Sequence, residues 1–338
     1  MKNRFLLGAA AVAHSILIWW MAATPLASQT VPAESAAAAT ERKDSAREWT
    51  PPRTAWGDPD LQGVWSYASL TPLQRPAAMR DKEFFTPREA AARQAGSTAE
   101  RPPVPGVVGS YNSHWFDKGR VDPSLRTSLI VDPPNGRLPP LTSVGKARVQ
   151  ARSQRVRDRP ESWLNFPAWA RCITYHGVPP ISTGYNNTYL ILQTPDHVAI
   201  LVENIHDVRI IPLDGRPYLD ERIRQWNGDS RGRWEGNTLV VETANFSDKT
   251  EHRFPSSKNL RAVERFTRVD EYTIRNEFTI EDPETYTAPW TAVRAMPRLD
   301  GYQIYEYACH EGNYAMTNAL SGARAEERAA ARQAGEKD

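Results

Sequence analysis

The second half of the chain alternates short apolar runs with turn residues. Residues 189–193 and 198–203 are apolar runs separated by Thr194-Pro195-Asp196-His197. Residues 238–243 follow the turn Glu235-Gly236-Asn237, and residues 260–269 and 272–280 flank Asp270-Glu271. Residues 291–296 and 302–309 are joined through Asp300-Gly301, a strong hairpin dipeptide. Successive strands with short turns predict an antiparallel meander from 189 to 309. No strand–helix–strand spacing points to a nucleotide-binding α/β fold. Ile274, Phe278 and Ile280 share a face interrupted by Asn276, and between 261 and 269 each face mixes apolar and charged side chains, Val263 with Arg265 and Phe266 with Glu264. A sandwich core accepts such mixing less readily than a barrel with a partly polar lumen. The expected fold is therefore mainly β, an antiparallel curled sheet or lipocalin-like β-barrel over 171–320. The alternative is a sheet whose exposed face is covered by the N-terminal half.

That half is punctuated by proline. Of 27 prolines, sixteen lie between Pro51 and Pro167 and nine follow Cys172. Residues 51–170 thus read as a Pro-rich wrapping arm with two short helices. Thr86-Pro87-Arg88-Glu89 combines an N-cap, a first-turn proline and a capping-box glutamate, leading into a helix through 94. Thr142 caps a second helix, running through Lys146 to about Arg157. Residues 321–338, rich in Ala, Glu and Arg, predict a terminal helix or tail.

Residues 1–33 have the form of an export signal: Lys2 and Arg4, then an apolar run over 5–23 that includes Trp19-Trp20, and small residues at Val31-Pro32-Ala33. An uncleaved anchor is the alternative. Residues 34–50 read as a polar, Ala-rich linker. The chain carries 42 Lys+Arg and 40 Asp+Glu, and the first 33 positions hold two of the bases and no acid. The remainder is neutral, which argues against nucleic-acid binding. Mean hydropathy of −0.59 with a single long apolar run argues against a polytopic membrane protein. The expected location is periplasmic or secreted, with no membrane contact beyond the signal and the oligomeric state left open.

Only Cys172 and Cys309 are present. In an oxidising compartment an isolated pair favours a disulfide, with two buried thiols as the alternative. Three polar clusters are candidates for chemistry. In residues 203–217, period-two alternation places His206, Val208 and Ile210 on one face and Asp207, Arg209 and Ile211 on the other. Within the polar stretch 226–236, Gly228-Asp229-Ser230-Arg231-Gly232 reads as a turn bracketed by Trp226 and Trp234. Residues 305–313 carry His310 and Glu311, which a disulfide would bring near His176. His206 and His310 would exchange protons, with Asp207 or Glu311 orienting a ring. Arg209, Arg231, Asp229, Trp226, Trp234 and His176 would bind substrate. The competing reading is a salt-bridge network that only organises the sheet. The six His outside the signal show no metal-site spacing, and no P-loop, GxGxxG or GxSxG occurs, so no metal and no cofactor are expected.

Trp56–Trp65 (WGDPDLQGVW), the run Ile210 to Pro217, the run Gly228 to Glu242 (GDSRGRWEGNTLVVE) and Tyr305 to Asn313 together resemble a family of exported bacterial proteins. The resemblance implies export and assigns no activity. Residues 234–242 are also similar to strands of lipocalin-type barrels. The functional expectation is an exported acid/base enzyme, a lyase or hydrolase, acting on a small organic molecule or sugar derivative. The alternative is a non-catalytic carrier or envelope-interaction protein.

Overall fold

A computed structural model describes residues 49–99, 102–107, 112–157, 160–175, 177–250 and 252–335. The expected signal, almost all of the expected linker, and His176 lie outside these residues. The described chain is mainly β, with two antiparallel sheets and three helices. Four strands, β1 (Gly63–Ser66), β3 (Thr188–Gln193), β4 (His197–Val202) and β5 (Asp207–Pro212), form the first sheet in the order β1-β3-β4-β5. The second contains β2 (Ile130–Asp132), β6 (Asp229–Glu235), β7 (Thr238–Ala244), β8 (Arg261–Asp270), β9 (Thr273–Glu281) and β10 (Trp290–Pro297). Their order is β2-β10-β9-β8-β7-β6.

The expectation of one continuous sheet or closed barrel over 189–309 is corrected: the strands divide between β5 and β6, and no barrel closes. Pro212 and Pro217 remove ladder donors just where β5 would have to continue into a pairing with β6. The two sheets instead share a core. Trp65, Tyr189, Ile191, Val198, Ile200 and Ile211 from the first meet Leu239, Val241, Phe266, Ile274 and Met296 from the second. Gly232 allows the approach at the β5–β6 corner, where a Cβ would lie 2.7 Å from Leu213 and 2.8 Å from Ile211. Each large apolar side chain buried there contributes roughly 1.5–3 kcal/mol.

The mixed inner face that suggested a polar lumen has a different explanation. Glu264 of β8 pairs with Arg209 of β5 across the sheet interface, both buried. Arg294 of β10 donates to Asn276 Oδ1 at 2.9 Å and to the carbonyl of Pro180 at 2.7 Å, and its guanidinium lies over Tyr67. Polar side chains are thus tolerated between packed sheets because most of their hydrogen-bonding groups meet partners from the opposite layer or the arm.

A second correction concerns residues 302–309, expected as a strand paired back on β10. They are irregular. The open edge of β10 is occupied by the arm, with β2 opposite Thr291 and Ala292 and Asp122 Oδ2 accepting from Ala295 N at 2.8 Å. After the Asp300-Gly301 turn the chain therefore runs to the first sheet as a strap. A third correction concerns Gly228–Gly232, expected as a turn: all but Gly228 lie in β6, and the turn is confined to residues 225–228.

The helices begin where their caps predict. Thr86 and Glu89 form a reciprocal capping box on α1 (Pro87–Thr98). Thr142 Oγ1 accepts from Gly145 N at 3.0 Å at the start of α2 (Ser143–Arg157). The terminal helix α3 (Ala315–Gly335) starts six residues earlier than the expected tail. Among the described residues no helix is long and apolar enough to cross a membrane. Cys172 and Cys309 are joined in a disulfide.

Candidate functional site

A cleft of about 570 Å3 opens where β5 and the turn before β6 face each other. It is lined by residues 207–210 and 224–230 together with Ile173. The turn reverses at Gly228 with a left-handed φ of +69°, and a Cβ there would lie 2.6 Å from the carbonyl oxygen of Ala244, so glycine alone fits. This reversal sets Trp226 and Asn227 against the first residue of β5.

Asp207 is the chemically distinctive group. The Thr174 hydroxyl donates to Asp207 Oδ2 at 2.8 Å and lies 3.1 Å from Asn227 Oδ1. Burial pushes the Asp207 carboxyl up to about 6, against the opposing effect of hydrogen bonds from Thr174 and Asn227 and the charges of His206 and Arg209. The disulfide fixes this arrangement, since Cys172 lies two residues before Thr174.

The structure brings together Asp207, Arg209, Trp226 and Asp229 as cleft-lining residues, whereas the described candidates His206, Arg231, Trp234, His310 and Glu311 are not on its wall. His206 is exposed, with Nδ1 at 3.1 Å from the carbonyl oxygen of Tyr307 in the strap. His310 and Glu311 are exposed at the end of the strap. Trp234 packs against the shared core, away from Trp226. Trp226 stacks with the Arg171 guanidinium, which also lies over Trp163.

The charged groups expected to clamp substrate are occupied within the fold. Arg209 pairs with Glu264. Arg231 Nη1 pairs with Asp229 and bonds the Ser230 carbonyl at 2.7 Å. Its Nε and Nη2 hold the carbonyls of Arg216 and Pro217, and Tyr218 lies beneath it. Asp229 Oδ2 also accepts from Leu219 N at 2.8 Å. The Asp229–Arg231 pair therefore fastens residues 216–219 to β6.

Thr174 and Asn227 were missed in the sequence. Their only signal was position, one beside a cysteine and the other beside Trp226 and a glycine. His252 was also overlooked: it is buried between Phe246 and Phe254, with its imidazole held down to about 3 by burial and by the charge of Arg152.

The chain matches no family model, no curated protein and no solved structure. Among the described residues no three His, Cys, Asp or Glu side chains group closely enough to hold a metal ion by themselves.

Proposed function

We propose that the protein is an exported enzyme, a lyase or hydrolase, that acts on a small organic molecule or sugar derivative by proton transfer at Asp207. The observation that carries this reading is a carboxyl with its pKa raised to about 6, lining an open cleft and oriented by two neighbouring side chains. Such a group is populated in both protonation states near neutrality, so it can donate a proton to a leaving atom and recover it from water. Trp226 supplies a flat apolar wall for a ring, Gln225 and Asn227 supply amides, and Arg224 supplies positive charge. In this revision of the sequence expectation the proton passes through Asp207, while His206 lies outside the cleft wall.

The alternative is a carrier using the same cleft. It is favoured by one observation: Arg209 and Asp229 are both neutralised by internal partners, which leaves Asp207 without a second free acid or base lining the cleft among the described residues. A single variant separates the readings. Ligands are first found by thermal shift and indole fluorescence with a library of sugars and small organic acids. Consumption of each hit is then followed by NMR with wild type and with Asp207→Asn. The enzyme reading expects loss of turnover by at least about a hundredfold with binding changed only a few-fold. Hits that bind and are never consumed by wild type would overturn it in favour of the carrier. Export is tested by N-terminal sequencing of the chain recovered from the periplasm or medium of a bacterial host.

A further inference from the structure

Three of the four sheet edges carry a neighbouring segment. Leu299 N donates to the Val64 carbonyl of β1 at 2.9 Å, and Ile130 N of β2 donates to the Leu73 carbonyl at 3.1 Å. Residues 216–219 are fastened to β6 through Asp229 and Arg231. The fourth edge is β5, which pairs with β4 on one side and with no strand on the other among the described residues. Along Val208–Ile210 that open edge forms a wall of the cleft.

The ladder register shows which backbone groups face the opening. Leu213 N donates to the Asp196 carbonyl at 2.8 Å, one step beyond the pair His197 and Pro212. Residues bonded to the partner alternate in an antiparallel ladder with residues whose N–H and C=O point away. Asp207, Arg209 and Ile211 therefore face β4, whereas Val208, Ile210 and Pro212 face outward. The other side of β4 agrees. Glu203 N donates to the Thr188 carbonyl at 3.0 Å, which turns Ala199 and Leu201 toward β3 and leaves Val198, Ile200 and Val202 for β5. Val208 and Ile210 thus present two N–H and two C=O groups to the cleft, and no described residue bonds them there. Pro212 supplies no further donor, so the pairing edge ends before it.

The side chains at this edge are apolar and exposed, Val208 at 55% and Ile210 at 57%. They head two cross-strand rows on the outer face of the first sheet, Val208–Leu201–Leu190 and Ile210–Ala199–Leu192. Edge strands are ordinarily blunted by charge, proline or a bulge. Here the one charged residue between the two, Arg209, is turned inward and committed to Glu264.

We propose that the β5 edge is a docking site for an extended peptide of a partner protein, one with apolar residues at alternate positions, which adds to the first sheet as a fifth strand. Unpaired backbone groups at a two-residue period select another backbone, and cross-strand neighbours share a face, so side chains opposite Val208 and Ile210 would lengthen the two apolar rows. A second copy of the chain fits less well. The fullest pairing of β5 with itself sets Val208 opposite Ile210 and so places Arg209 opposite Arg209, like charge against like. The inference does not rest on proton transfer at Asp207, whose side chain alternates to the other face of β5.

The test uses the full chain with its disulfide formed and two fluorescein-labelled peptides of one sequence, Lys-Val-Thr-Val-Thr-Val-Lys. One is N-methylated at its last two valines, the other at both threonines. A valine opposite Val208 or Ile210 turns its N–H to β5, so valine methylation removes those bonds, whereas threonine methylation blocks only the far edge. In fluorescence anisotropy the threonine-methylated peptide should bind at least about tenfold more tightly. Its addition should slow amide exchange about tenfold at Val208 and Ile210 and leave Arg209 and Ile211, already bonded to β4, unchanged. Ile210→Pro, which removes one outward donor and none toward β4, should weaken binding about tenfold. Should that variant fail to fold, the comparison of the two peptides on the wild-type chain decides alone. Equal binding of the two peptides, or binding of neither, overturns the proposal. So does a dimer in sedimentation that Ile210→Pro abolishes, which would give the edge to a second copy. None of these readouts involves turnover, so their failure leaves the reading of Asp207 untouched.

Discussion

Asp207 and His252 are both displaced from their ordinary pKa by burial, and they push stability in opposite directions. The Asp207 carboxyl titrates near 6 in the fold against 3.8 for an unperturbed aspartate, so the folded chain binds the extra proton between those values. Its contribution is fully present below about 3.8 and is lost as pH rises through 6, a cost on the order of 1–3 kcal/mol at neutrality. Asp207→Asn should therefore raise the Tm at pH 7.5 while leaving it nearly unchanged at pH 4, even as it removes any turnover. A group that costs stability where it stands is what a functional residue looks like. His252 has the reverse sign. Held neutral down to about 3 against an ordinary 6.5, it contributes stability above 6.5 that is lost as pH falls toward 3. In chemical unfolding at stepped pH, His252→Gln should flatten the decline between pH 6.5 and 3, whatever it does to stability at pH 7. Of these two residues the sequence singled out only Asp207, through its place beside a histidine and an arginine. Nothing local distinguishes His252, because its pKa is set by burial in the folded core and by the charge of Arg152, a hundred residues earlier in the chain.

The strap is the element whose structure departs most from its sequence pattern, and it is also the one held by the disulfide. Its anchors are few: Glu203 at Tyr302 and Tyr305, His206 at Tyr307, and the Cys172–Cys309 bridge, with Asn313 Nδ2 reaching the Ala170 carbonyl at 3.2 Å. The paired substitution Cys172→Ser, Cys309→Ser should lower stability by roughly 2–5 kcal/mol in denaturant unfolding. It should also speed amide exchange in 302–313 and weaken cleft ligands, since Thr174 loses its tether. A variant with unchanged exchange in the strap would show that the other contacts suffice. The strands over 188–202 and 238–297 were legible to within a residue or two, because alternation and turn chemistry are local. Residues 302–309 had the composition of a strand, yet their edge partner was already taken by β2 from the arm.

At the scale of the whole molecule, two sheets are held together by an apolar core with the Arg209–Glu264 pair set inside it. One oxygen of Glu264 and one nitrogen of Arg209 lack partners, so the pair is only partly satisfied. Arg209→Met or Glu264→Leu alone should destabilise by about 3–5 kcal/mol, since each strands a buried charge. The double variant should recover much of that loss in the same unfolding assay, and strict additivity would show that the two do not interact. By itself the sequence determined the β content, most strand positions, the helix caps and the two cysteines available for bridging, all consequences of local periodicity, backbone preference and composition. The division into two sheets, the partner of each buried charge and the identity of the cleft were decided only by tertiary structure. A strand's pattern records which face is buried but not what will be packed against it, and a carboxyl's pKa depends on neighbours that the chain brings from dozens of residues away.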